Sequence, residues 1–70
     1  MTIREVVAAN IKRYRQTVGM SQEELAHRAG IDRTYISALE RCRYAATIDV
    51  IDKIARELGI EAHELLTPEN

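Results

Sequence analysis

Arg33, Thr34, Ser37 and Ala38 are the residues of this chain whose types and spacing suit recognition chemistry. On a helix advancing about 100° per residue they share one side with Arg41, while Tyr35, Ile36, Leu39 and Glu40 share the other. An arginine can donate two hydrogen bonds to a guanine, Thr and Ser hydroxyls bond with either polarity, and Ala38 or the Thr34 methyl can touch a thymine methyl. Side chains this small would let the helix sit deep against base edges. Tyr35 lies on the border between the two sides, where its hydroxyl could reach a phosphate.

The elements that must position these residues are written in their flanks. Ser21 can cap a helix starting at Gln22, Glu24 can complete a capping box, and Met20 and Leu25 are placed as its hydrophobic staple. Gly30 ends that helix and Asp32 can cap the next, from about Arg33 to Arg41, so the connection is a sharp corner. Two short helices at this spacing predict a helix-turn-helix. Glu40 falls on the inward side, where a carboxylate is costly unless paired. Arg15, at the edge of the preceding apolar stripe, is its expected partner in a structural ion pair.

From Gly19 to Arg41 the chain follows the pattern G-x-S-Q-x-x-L-A-x-x-A-G-x-x-x-x-x-I-S-x-x-E-R. With that phrase, residues from about Val7 to Leu66 resemble the single-domain helix-turn-helix of phage repressors, Cro proteins and restriction-modification controllers, the xenobiotic-response-element type. The resemblance implies an all-α, lambda-repressor-like, compact five-helix domain over residues 1–70. It implies sequence-specific binding of double-stranded DNA as a transcription regulator, with Arg33, Thr34, Ser37 and Ala38 contacting bases. Gln22 matches a phosphate-binding position of the family, and Arg15 and Glu40 match its salt bridge. Two departures stand out. Cys42 occupies a place usually held by Gly, and Tyr44-Ala45-Ala46 replaces residues that are often polar and include a proline.

Further phosphate contacts are expected from Arg41, Arg43 and Thr47, beside Gln22 and Tyr35. Gln22 begins a helix whose free N–H groups already favour an anion. Arg41 and Arg43 could equally be cations solvated at a helix C-terminus.

Thr2 and Glu5 form another capping box, after which Ile3, Val7, Ile11, Tyr14 and Val18 recur at helical spacing to Gly19. Thr47 can cap a fourth helix whose apolar residues Ile48, Val50, Ile51, Ile54, Ala55 and Leu58 form a wide stripe. A last turn near residues 61–66 carries Leu65 and Leu66 before Pro68. The surplus apolar surface of Val50, Ile54, Ile60, Leu65 and Leu66 is the expected dimer interface, and a homodimer would read two half-sites about 34 Å apart.

A net charge of -1 looks unsuited to nucleic acid, but it is polarised. Residues 1–43 carry eight Lys or Arg against five Asp or Glu, whereas residues 44–70 carry two against six. No apolar run approaches the roughly 20 residues that span a bilayer, and the N-terminus does not read as a leader, so a cytoplasmic location without membrane contact is expected. The single Cys42 cannot form an internal disulfide. His27 and His63 lack partners at metal-ligand spacing, and no phosphate loop or nucleophile motif is present. No metal, cofactor, small-molecule ligand or enzymatic activity is therefore expected. The competing reading is a protein-interaction or antitoxin-like module using the same fold without specific DNA binding.

Overall fold

Four of the helices start where a Thr, Ser or Asp side chain accepts a hydrogen bond from a backbone N–H that the helix leaves unpaired. The computed structural model describes residues 1–69, with helices α1 (Ile3–Thr17), α2 (Gln22–Ala29), α3 (Arg33–Glu40), α4 (Ile48–Leu58) and α5 (Ala62–Leu65). Thr2 and Glu5 make the full capping box of α1. At α2 only half of the expected box forms. Ser21 accepts from the Glu24 N–H, but the Glu24 carboxylate turns to Arg28, one turn on, at 2.6 Å. The i,i+4 ion pair with Arg28 takes the carboxylate that would otherwise accept the Ser21 N–H.

The exits of α1 to α4 share one geometry. At Gly30 and Gly59 the backbone turns left-handed, and the next N–H bonds back across the last turn: Ile31 to the Ala26 oxygen at 2.9 Å and Ile60 to the Ala55 oxygen at 3.0 Å. Cys42 ends α3 in the same way, with φ 59°, its N–H bonded to the Leu39 oxygen and the Arg43 N–H to the Ala38 oxygen at 2.8 Å. A side chain with a Cβ is strained there by about 1–2 kcal/mol. Cys42→Gly is expected to stabilise the domain by about 1 kcal/mol, since glycine's looser unfolded chain offsets part of the relief. Thermal unfolding should show the midpoint rising by about 4–8 °C.

One core joins all five helices, with Ile11, Leu25, Ile36, Ile54 and Leu65 fully buried at its centre. Three residues of the expected stripes stay outside it. Ile3 and Val18 lie at the two ends of α1 and Ile48 opens α4, where no neighbouring helix covers them. Ala8 and Asn10 are buried in their stead. The expected dimer interface is corrected here. Ile54 and Leu65 are inaccessible, because a chain of this size needs them for its own core, and Val50 and Ile60 pack half-buried against it. Of that set only Leu66 is exposed.

Asn10 is the one buried polar residue among those described. Its amide nitrogen lies 3.2, 3.0 and 2.9 Å from the carbonyl oxygens of Glu64, Leu65 and Thr67, and so closes the C-terminal end of α5 from inside the core. Its own oxygen accepts from Arg13, which also pairs with Glu69 at 2.8 Å. Nothing in the periodicity marks Asn10 as inward, and sequence reasoning missed it.

Candidate nucleic-acid interface

The corner from α2 to α3 is held by a single carboxylate. Glu40 accepts two hydrogen bonds from Arg15, at 2.7 and 2.9 Å, in the bidentate geometry that suits guanidinium and carboxylate. Both side chains are nearly buried, at 12% and 5% exposure. Arg15 also donates to the Met20 oxygen at 2.9 Å, and the Glu40 oxygen additionally accepts from the Gln22 amide at 3.2 Å. The hydrogen bonds to Glu40 hold the Arg15 guanidinium above even its usual range. One network thus joins the end of α1, the start of α2 and the end of α3. Gln22 is fixed by it at the first position of α2.

At the start of α3 the Asp32 carboxylate caps the helix through the Thr34 N–H at 2.8 Å and also accepts from the Thr34 hydroxyl. These bonds from Thr34 hold the Asp32 carboxyl below its ordinary range, so it is ionised at neutral pH. Arg33 and Thr34 are exposed and Ser37 is half-buried. Arg33 has no carboxylate partner among the described residues and lines a shallow depression with Arg15, Ser21, Gln22 and Glu23. Ala38 is only 5% exposed, but it lies outside the core cluster and forms the floor of a surface depression beside Thr34 and Arg41, on the face the helical wheel gives it.

Beyond Ala38 the surface is formed by Thr34, Tyr35, Arg41, Arg43 and Tyr44. Tyr35 is half-buried and its hydroxyl donates to the Ala45 oxygen at 3.2 Å, while its ring tilts against Tyr44 at 6.1 Å. The hydroxyl assigned to a phosphate is therefore already committed to pinning the loop. Arg41 and Arg43 are exposed, Arg41 leaning on the Ser37 oxygen at 3.3 Å. Thr47 is exposed, and its side-chain oxygen accepts from the Val50 N–H, which leaves the hydroxyl proton free to donate. The structure brings Gln22, Arg33, Thr34 and Ser37 to the two helices of the corner, and Arg41 and Arg43 to its exit.

A separate apolar groove of about 420 Å³ opens between α1, the α3–α4 loop, α4 and α5. Exposed Ile3, Tyr44, Ile48 and Leu66 surround it, with Arg4 on the α1 side and Asp49 and Asp52 on α4. Tyr44 and Ile48 were absent from the expected interface, although an apolar pair flanking a loop could have flagged them. No group of His, Cys, Asp or Glu suited to a metal occurs among the described residues. Nor is any described helix long and apolar enough to cross a membrane.

Comparison with known proteins gives this geometry its relatives. A family profile described as helix-turn-helix matches residues 11–65. A hypothetical transcription factor of Neisseria meningitidis is 47% identical over 66 residues, which cover 94% of this chain and 62% of that protein. Its crystal structure superposes with a TM-score of 0.93 at 46% identity, covering 96% of this chain and 77% of that one. The control protein C.SmaI of Serratia marcescens is 37% identical over 96% of this chain and 80% of its own length. The biofilm regulator SinR, a protein of Bacillus subtilis, has been solved in complex with DNA; it superposes with a TM-score of 0.82 at 34% identity, covering 87% of this chain and 98% of that one.

Proposed function

The chain belongs to the Cro/C1-like helix-turn-helix family of transcription regulators, and from that membership we propose that it binds a two-fold operator in duplex DNA as a homodimer, with α3 in the major groove. The observation that carries the reading is Arg33, exposed and without a carboxylate partner, at the start of a helix locked to α1 and α2 through Glu40. Arg33, Thr34 and Ser37 read base edges, and Ala38, small and recessed on the same face, leaves room for a thymine methyl. Gln22, which opens α2, and the exposed cations Arg41 and Arg43 at the exit of α3 grip phosphates; that DNA is the ligand is supported by the relative SinR, solved in complex with DNA. Tyr35 acts by holding the loop, whereas Thr47 caps α4 and keeps its hydroxyl proton for a phosphate.

The homodimer uses the apolar groove and not the buried Ile54 and Leu65. Across a two-fold axis the same patch meets itself, so Arg4 of one copy comes opposite acidic Asp49 and Asp52 of the other while Ile3, Tyr44, Ile48 and Leu66 close on their counterparts. The acidic C-terminal half then lies in the interface and away from phosphates.

Selection of bound sequences from random duplex DNA tests the whole reading. A palindrome with half-sites about one helical turn apart is expected. Binding should weaken with salt, with a slope of about -0.9 per phosphate neutralised. Arg33→Ala should lose about 1–3 kcal/mol of discrimination at one base pair, and Gln22→Ala should weaken all sites alike. Absence of binding to any duplex at low salt would leave the fold serving protein recognition instead.

A further inference from the structure

Thr34 resting on the proposed α3 reading of DNA has a second property that the fold imposes on it. Its hydroxyl has one proton, and the group facing that proton is the Asp32 carboxylate, an acceptor without a proton to give. The same carboxylate oxygen accepts the Thr34 N–H at 2.8 Å, so hydroxyl and carboxylate are held together by the helix cap itself. The ionised state of Asp32 at neutral pH keeps the arrangement in place.

We infer that Asp32 makes Thr34 a specificity-determining residue of fixed polarity: with its proton committed to the cap, the Thr34 hydroxyl meets DNA as an acceptor only, and selects an exocyclic amine. In the major groove, adenine N6 and cytosine N4 offer such a donor, whereas guanine O6 and N7 and thymine O4 are acceptors. The neighbouring Arg33 is the opposite case, a group of donors without an acceptor. The start of α3 therefore sets a donor-only side chain beside an acceptor-only one, and a guanine next to an amino base is the doublet this pair fits. Ser37, whose hydroxyl meets no such partner among the described residues, keeps both polarities.

The test begins from the operator obtained by selection. Every base pair presents one exocyclic amine in the major groove, so at the pair whose preference Thr34→Val flattens the contact is assigned to its adenine or cytosine and tested by removing that amine. Replacing that base by purine or 2-pyrimidinone, which lack the exocyclic amine, should weaken the unmodified protein about fivefold, the effect of one net hydrogen bond, and leave Thr34→Val unaffected. Asp32→Ala frees the hydroxyl to donate, and the preference for an amine should fall below about twofold. Loss of the cap also costs about 1 kcal/mol of stability, so folding of that variant is checked by circular dichroism, and Thr34→Val, which leaves the cap intact, carries the test if it unfolds. No position flattened by Thr34→Val, or no effect of removing the amine at that pair, would each overturn the inference while leaving DNA binding intact. A protein that selects no sequence at all overturns the DNA-binding reading, and this inference with it.

Discussion

Glu40→Ala is expected to remove about 3–5 kcal/mol of folding stability, because it leaves the nearly buried Arg15 guanidinium without its counter-charge. A domain of 70 residues has only about 4–10 kcal/mol in total. The variant should thus lose a large part of its stability, and urea titration would read the loss as a fall in midpoint at unchanged slope. Removing both charges is a different experiment. Arg15→Met with Glu40→Leu leaves no stranded ion and fills similar volume, so it should cost far less than Glu40→Ala alone. The double variant would still lose the Gln22 anchor, and its DNA affinity should fall although its stability holds. If Glu40→Ala costs under about 1 kcal/mol, the pair behaves like an exposed surface bridge and the clamp has no structural weight.

Asn10→Ala is the second large effect, expected at about 2–4 kcal/mol. Two N–H bonds are shared among three carbonyl oxygens at the end of α5, and alanine would strip the buried Leu65 oxygen of this donor, weaken the bonding of the Glu64 and Thr67 oxygens and leave a small cavity. The loss should be local before it is global. Amide exchange at Leu66 and Thr67, whose N–H groups bond to His63 and Glu64, should lose protection ahead of α1 to α4. Since Ala62 and Leu66 form one wall of the apolar groove, the same substitution should weaken self-association. Equal protection in the variant and the parent would mean that burial of Leu65 alone holds α5.

What could be read from the sequence followed from local rules. Helix starts were legible because Thr2, Ser21, Asp32 and Thr47 each bond to an N–H two or three residues away, which spacing alone can specify. The Arg15 and Glu40 pair was legible because a carboxylate on an inward face demands a partner, and few cations lie near. Asn10 was not, since its three acceptors lie more than 50 positions away and a polar residue on a helix ordinarily faces water. Ile48 was misplaced because a helical wheel gives angular position but says nothing of how far the neighbouring helices extend, and none reaches it. For Ile54 and Leu65, surplus apolar surface was inferred without counting what so small a core consumes.

The network around Glu40 also bears on the thermodynamics of recognition. Because Arg15, Gln22 and Glu40 already hold α1, α2 and α3 in one arrangement, the two helices of the corner reach their ligand as a rigid unit with little chain entropy left to lose. The heat-capacity change on association would then report surface dehydration and any bending of the ligand, without a contribution from protein folding. Cutting the network should move that balance: a loosened corner would bind with a more favourable enthalpy, a larger entropic penalty and a weaker sum.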